Sequence, residues 1–353
     1  MHKLPFVSVI IPVHNAGEFI ERCLDAIIAS SYPSFEIIMV DDCSTDESVA
    51  IARQKGVTIH RLPEQSGPAI ARNMGAKHAR GNIFLFIDSD IIVRRETIAL
   101  AVANFQSNPD IVAVFGSYDD DPAKGNFISQ YRNLFHHFQH QYSGKDAFTF
   151  WAGCGAILKK VFDELGGFDQ KRYRKPCIED IELGYRICKK GYRILLDKDL
   201  QVKHCKQWGL LSMLRTDIFQ RAIPWSRLIL ESKFIPNDLN LQISHKISAI
   251  SVALMILMIP FLFFGHTKYY DIPVASTACI FSLILFINLL ILNRKLYGFY
   301  ARKRGLRFMV QVIPLHLLYY LYSSMSFVFC WITYKTSILG YLLCAGKLKC
   351  KRT

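Results

Sequence analysis

The sequence predicts an α/β fold, with a mostly parallel sheet and flanking helices, followed by an α-helical membrane region. Three observations carry this. Short β-branched runs alternate with helical patterns from Phe6 to Asp88, aspartates stand at the ends of those runs, and long uncharged apolar stretches fill the chain beyond residue 246. Apolar strands alternating with helices belong to parallel sheets that are buried on both faces.

Taken in order, "FVSVII" (6–11) is a β-branched strand, and "AGEFIERCLDAIIAS" (16–30) has the apolar spacing of a helix. "FEIIMV" (35–40) is a strand, "DESVAIARQKG" (46–56) a helix ending at Gly56, and "VTIHRL" (57–62) a strand. "PAIARNMGAKHA" (68–79) is a helix and "IFLFID" (83–88) a strand. "NFISQYRNLFHHFQHQYSG" (126–144) reads as an aromatic-rich helix, and "FWAGCGAILKK" (150–160) as a tight turn feeding a strand. "IEDIELGYRICKKGY" (178–192) is a helix with carboxylates in its first turn, where the helix dipole favours them, and Gly191 at its end. "RILLD" and "QVKHC" are two short strands. "SMLRTDIFQRAIPWSRLILESKF" (212–234) is an amphipathic helix kinked at Pro224, with basic and aromatic side chains suited to a membrane surface.

Three uncharged runs follow, Ile247–Thr267, Ile272–Asn293 and Phe308–Tyr334. A hydrocarbon core of ~30 Å takes about 20 helical residues, so the first two are spans. The third is interrupted by Gln311, Pro314, His316, Ser323 and Ser324, and either spans or re-enters. The stretch Arg294–Arg307 has six Lys or Arg and no acid, which places it and the N-terminal domain in the cytosol. A re-entrant third segment keeps the basic tail "KLKCKRT" on that side as well.

The formal charge of +14 raises nucleic-acid binding, but most of the excess lies among these apolar runs, where anionic lipid explains it. Mean hydropathy is +0.18, high for a purely soluble protein. The ten cysteines include no CxxC pair. Cys23, Cys188, Cys279 and Cys330 sit among apolar neighbours, as inert buried thiols would. The N-terminal "MHKLPFVSVIIPVHN" lacks the run length and small-residue cleavage site of a signal peptide.

Chemistry concentrates at strand ends. In "NIFLFIDSDI" (82–91) an apolar run ends in Asp88 and Asp90, and buried charge at that point needs compensation. "DDCSTD" (41–46) closes an earlier strand, "ED" at 179–180 opens a helix, and His204 ends "QVKH". In parallel sheets ligands bind beyond the carboxyl ends of the strands. Oxygen ligands there suit Mg²⁺ or Mn²⁺, whose remaining positions go to water and phosphate oxygens. The plainer reading of Asp88 and Asp90 is a solvated turn capping the next helix.

The blocks "VSVIIPVHN", "DDCSTD", "SGPAIARNMGAKHARGNIFLFIDSD", "FWAGCGAILKKVFDELGGFD" and "EDIELGYRICKKGYRI" stand in the order and spacing of the family-two glycosyltransferases. The resemblance covers roughly residues 5 to 230 and implies a GT-A fold, with a nucleotide-binding sheet, a DxD motif and a nucleotide-sugar donor. It implies that Pro12, His14, Asn15 and Asp42 contact the nucleobase and Asp88 the ribose. Arg72 would approach the phosphates, and Asp90 with His204 would hold Mg²⁺ or Mn²⁺. Trp151, Gly153 and Glu179 would lie near the acceptor or donor sugar, and Asp180 would be the general base of an inverting displacement. Ala16 stands where many relatives carry Glu, so that contact is missing or comes from Glu18. "QRAIPW" (220–225) only loosely matches the Gln-x-x-Arg-Trp of processive synthases, which favours a single transfer onto a lipid.

The implied organisation is a cytosolic catalytic domain (1–207), an amphipathic interfacial region (208–245) and a membrane region (246–353). The implied activity is a membrane-anchored hexosyltransferase of cell-envelope glycan or glycolipid synthesis. Its partners are a nucleotide-sugar donor, a lipid-linked or glycan acceptor and membrane lipids. The alternatives are a metal-dependent nucleotidyltransferase, which the missing glycine-rich phosphate loop disfavours, and an inactive membrane scaffold, which the intact Asp42, Asp90 and Asp180 disfavour.

Overall fold

A computed structural model of the chain describes residues 4–263 and 274–350, the last of these, from 337, as backbone only. It divides into two compact units, Met1–Met213 and Leu214–Thr353.

The first unit is built on strands β1 (Val7–Val13), β2 (Phe35–Asp41), β3 (Thr58–Arg61), β4 (Ile83–Ile87), β5 (Ile91–Ile92), β6 (Ile111–Tyr118), β7 (Asp146–Ala147), β8 (Cys154–Leu158) and β9 (Arg193–His204). Their order is β3-β2-β1-β4-β8-β6-β9-β5, with β7 beside β9. β1 pairs parallel with β2 and β4, and β2 parallel with β3. β8 runs antiparallel between β4 and β6, and β6 pairs parallel with β9. The sheet is mostly parallel, as the alternation of runs predicts. Val9, Ile10, Ile11, Phe84, Phe86 and Ile87 are completely buried. Removing each such side chain from water is worth about 1.5–3 kcal/mol.

The covering helices are α1 (Gly17–Ile28), α2 (Ser48–Gln54), α3 (Pro68–His78), α4 (Thr97–Ser107), α5 (Phe127–Tyr142), α6 (Lys159–Glu164) and α7 (Glu179–Lys189). Two elements go beyond the sequence reading, α4 and the fully ordered strand β6. The expected pair "RILLD" and "QVKHC" is a single strand, β9. Its pairing with β6 shifts between Phe115 and Ser117, so the chain bulges where a loop was expected.

After β9, α8 (Leu210–Arg215) leads through a π-helical turn (Thr216–Ala222) into α9 (Ile223–Ser232). Pro224 lies in the first turn of α9, where a missing N–H costs little. The kink expected at this proline is replaced by the widened turn before it. The second unit continues with α10 (Ile243–Phe263), α11 (Val274–Leu292), α12 (Arg294–Arg304) and α13 (Leu306–Cys350). Among the described residues three helices are long and apolar enough to cross a membrane: Ile243–Phe261, Val274–Leu292 and Leu306–Thr336. Residues 264–267 and 272–273 of the expected spans lie outside the described residues. The third segment is one helix running through Pro314, with no reversal among the described residues.

Inside this unit, polar side chains join apolar helices. His245 Nδ1 and the Tyr320 hydroxyl are 2.7 Å apart, and that hydroxyl donates to Asn293 Oδ1 at 3.0 Å. Asn293 Nδ2 donates to Ser248 Oγ at 3.0 Å, tying the end of α11 to α10. Small and polar contacts of this kind hold helices together where lipid removes the hydrophobic drive. Cys23 and Cys330 are buried as expected, but Cys188 is half-buried and Cys279 is exposed on α11.

Candidate functional site

The carboxyl ends of β1, β2 and β4 open on one rim, because the three strands are parallel neighbours. The loops there are laced by side chains that accept backbone N–H groups. Asp41 Oδ1 accepts from Ser44 N at 2.8 Å, Asn15 Oδ1 from Thr45 N at 2.8 Å, and Asp46 Oδ2 from Gly17 N at 2.8 Å. Buried Asp42 takes the amides of Ser66 at 2.6 Å and Gly67 at 2.8 Å, immediately before α3. Gly67 has φ of +91°, a conformation that glycine adopts without strain, and Arg174 covers it closely. Both Asp42 oxygens are therefore engaged in shaping the loop. Pro12 is half-buried in β1, while His14 and Asn15 are exposed at the strand end. Glu18 is paired with Lys124 at 2.7 Å.

Arg72, expected near the phosphates, is held here between two carboxylates. The guanidinium is buried, with Nη2 on Asp88 Oδ1 at 2.7 Å and Nη1 on Glu179 Oε1 at 2.8 Å. Glu179 also accepts the Cys177 amide at 3.0 Å. Arg72 thus clamps Asp88, the residue after β4, to the first residue of α7.

Asp180, next along α7, accepts Ala152 N at 3.1 Å and Ile181 N at 2.8 Å. Its carboxyl is pushed up to about 6 by burial first and the Glu179 carboxylate second, with Arg72 pulling the other way. The turn 151–153 is a second link, since Gly153 O accepts the Asp88 amide at 3.1 Å while Ala152 holds Asp180. A Cβ on Gly153 would come 2.5 Å from the Trp151 indole, so a larger residue displaces that ring.

On the other side, Asp90 Oδ2 lies 3.3 Å from His204 Nε2, and Cys205 N donates to Asp90 O at 2.8 Å. Burial pushes the Asp90 carboxyl up, but the charge and hydrogen bond of His204 and the charge of Lys206 outweigh it and leave it low. Asp88 is raised by burial, with the Asp90 and Glu179 charges adding to it, despite Arg72. His204 stacks on Tyr118 with ring centroids 4.4 Å apart, and Tyr118 meets Trp151 edge-on at 5.0 Å. The expected residues Asp88, Asp90, Trp151, Gly153, Glu179, Asp180 and His204 are thus linked into one network, with Arg72, Ala152 and Tyr118 as the intermediaries.

Sequence reasoning missed the supporting face of α5. Asn126, Ser129, Asn133, His137 and His140 recur at helical spacing and, as a group, hydrogen-bond Trp208, His204, Tyr118 and Gly116. No periodicity singled them out, because Gln130, Arg132, His136, Gln139 and Gln141 intersperse other polar residues along the same helix.

Residues 8–166 match the family model for Glycosyl transferase family 2. An uncharacterized glycosyltransferase of Haemophilus influenzae is 32% identical over 131 residues, 36% of this chain and 52% of that protein. The chain spans about half the length of that curated relative. Two solved structures share the fold at low identity. The mannosyltransferase PcManGT of Pyrobaculum calidifontis, in complex with GDP-Man and Mn²⁺, has a TM-score of 0.50 at 19% identity, over 93% of this chain and 88% of that one. Residues 1–349 of Staphylococcus aureus TarS, in complex with UDP-GlcNAc, have a TM-score of 0.50 at 18% identity, over 86% and 89%. With its rim of strand-end carboxylates, the N-terminal unit has the GT-A fold, and residues 8–166 within it are similar to glycosyl transferase family 2.

Proposed function

We propose that the chain is a membrane-anchored inverting glycosyltransferase. It moves a sugar from a cytosolic nucleoside-diphosphate sugar to a lipid-linked or glycan acceptor. The observation that carries this reading is Asp180, a rim carboxylate oriented by two amides and raised to about 6. A base is most effective when its pKa lies near the working pH, and this carboxyl is ionised at neutral pH while still basic enough to take a hydroxyl proton.

The loops around Pro12, His14, Asn15 and Asp42 receive the nucleobase. Asp42 acts chiefly by fixing the 66–67 turn, and Asp88 meets the ribose. Arg72 keeps Asp88 and Glu179 apart and charge-balanced, so that Asp180 alone is left as base. Trp151 and Gly153 form the wall beside the donor sugar and the acceptor. The acceptor oxygen loses its proton to Asp180 as it attacks the anomeric carbon. The bond from that carbon to the diphosphate breaks, and the configuration inverts.

The donor set fits Mn²⁺ or Mg²⁺. Asp90 and His204 stand side by side, with a carboxylate oxygen and an imidazole nitrogen facing each other. Among the described residues no group of three or more side chains is arranged to hold a metal. Asp90 and His204 would hold the cation, leaving its other positions open to oxygen ligands. When bound, it neutralises the charge that develops on the leaving diphosphate. GDP-Man with Mn²⁺ in the mannosyltransferase and UDP-GlcNAc in TarS support the donor class.

The three apolar helices anchor the chain, and α12, with Arg302, Lys303 and Arg304 in its last turn, faces the cytosol with the N-terminal unit. A cysteine placed at Lys303 is then labelled by an impermeant reagent only in permeabilised cells. Labelling in intact cells reverses the orientation.

Incubation with UDP-, GDP- and dTDP-sugars, with and without chelator, tests the activity. Release of a nucleoside diphosphate from one donor, lost in EDTA and restored by Mn²⁺ or Mg²⁺, is the expected result. Release of pyrophosphate indicates nucleotidyl transfer instead. No turnover of any donor identifies a scaffold.

A further inference from the structure

The far edge of the His204 ring points away from Asp90. There His204 Nδ1 lies 2.7 Å from Asn133 Oδ1, and Asn133 is buried on α5. An amide oxygen accepts only, so Nδ1 carries a proton in this contact; Nε2, 3.3 Å from Asp90 Oδ2, either donates to that carboxylate or, with a cation bound, would give it its lone pair. Tyr118, stacked at 4.4 Å and 11° from parallel, prevents the ring from tipping out of that line. The Asn133 amide nitrogen is itself buried without a hydrogen-bond partner among the described residues. A buried donor left unsatisfied costs about 1–3 kcal/mol, and leucine would fill the same space without it. The oxygen is therefore what this position supplies.

We propose that Asn133 is a positioning residue that fixes the Nδ1–H tautomer of His204, presenting Nε2 beside Asp90 as a nitrogen ligand and biasing the site toward Mn²⁺ over Mg²⁺. Mg²⁺ takes oxygen ligands and gives up water reluctantly, so an imidazole nitrogen costs it more than it costs Mn²⁺, a first-row transition ion at the weak-binding end of its series. Partners one step behind a metal-bound histidine orient the ring and raise its basicity, and their loss costs about 10–100-fold in affinity. With the amide reversed or removed, the proton is free to move to Nε2 and close that position. This inference rests on the proposed metal-bound donor site.

The test is Mn²⁺ binding by electron paramagnetic resonance on the full chain in detergent, with UDP, GDP and dTDP offered in turn and Mg²⁺ as competitor. Asn133→Leu and His204→Ala should each weaken Mn²⁺ by about tenfold or more, with Mg²⁺ affinity nearly unchanged. Asn133→Asp, which keeps the accepting oxygen, should stay within about threefold of wild type. Asn133→Ser, too short to reach the ring, decides the same point if leucine is not accommodated. Equal losses in Asn133→Leu and Asn133→Asp would indicate a packing role and overturn the proposal. So would full Mn²⁺ affinity in Asn133→Leu alongside loss in His204→Ala. Wild-type protein that binds no Mn²⁺ with any nucleotide, or His204→Ala that binds as wild type, instead removes the metal reading beneath it.

Discussion

The two halves of the N-terminal sheet handle buried charge differently. Around β1, β2 and β4 the acids are tied to backbone amides, with Asp41 on Ser44, Asp42 on Ser66 and Gly67, and Asp46 on Gly17. Around β8, β9 and α7 the contacts run between side chains, with Arg72 on Glu179, His204 on Asp90 and Asn133 on His204. Amide ties build a fixed frame, because a carboxylate that accepts N–H bonds is satisfied and stays charged. Asp180 sits among these ties and is itself held by the Ala152 and Ile181 amides, yet burial and the Glu179 carboxylate outweigh them and carry its carboxyl to about 6. Under the proposed function this difference would separate donor holding from chemistry, and substitutions on the two sides should fail in different ways.

The largest effect is expected on the chemical side. Asp180→Asn retains size but removes the proton acceptor, and kcat should fall about a hundredfold or more. Affinity for the nucleoside diphosphate should remain near wild type, since no ground-state contact to the donor is lost. Steady-state kinetics together with calorimetric binding separate the two, and a parallel fall in both would erase the distinction. Asp90→Asn should show the reverse bias. The Mn²⁺ concentration for half-maximal rate should rise about tenfold or more, and nucleoside-diphosphate binding should weaken with it. Unchanged metal dependence would move the metal away from Asp90.

On the frame side, Asp42→Ala removes the acceptor of two amides at the start of α3. A loss of about 1–3 kcal/mol is expected by denaturant unfolding, with donor binding weakened through the displaced turn. Unaltered stability would show that the loop holds itself. The smallest effect again concerns Asp180. Its folded carboxyl lies near 6, above the ordinary value of 3.8, so folding disfavours the ionised form. That cost sets in as pH rises above the unfolded value and is complete above about 6. Asp180→Asn should therefore raise Tm by roughly 2–4 °C at pH 7.5 and leave it unchanged at pH 4. A lower Tm at pH 7.5 would indicate that the carboxylate is stabilising.

The same contrast explains what the sequence made legible. The frame half lies in contiguous blocks, where an apolar run stops and acids follow, so strand ends and rim could be read directly from "VSVIIPVHN", "DDCSTD" and "IFLFIDSD". The apolar lengths of α10 and α11 were equally plain. The chemical half is assembled from distant segments, so Arg72 could be placed on its helix but not between Asp88 and Glu179, 107 positions from the latter. Asn133 was invisible because a polar residue within "YRNLFHHF" signals nothing until β9 is laid beside α5. The joining of "RILLD" to "QVKHC" through a bulge escaped for a related reason, since the polar residues between them looked like a turn.

The most direct test is the pH dependence of kcat at saturating donor, acceptor and metal, in wild type and in Asp180→Asn. With Asp180 as base, log kcat should rise with unit slope at low pH, bend near pH 6 and level off above it. The acidic limb should vanish in Asp180→Asn, leaving a low rate that is flat across the same range. A limb that persists unchanged in Asp180→Asn would contradict the account, because the proton would then be taken by another group.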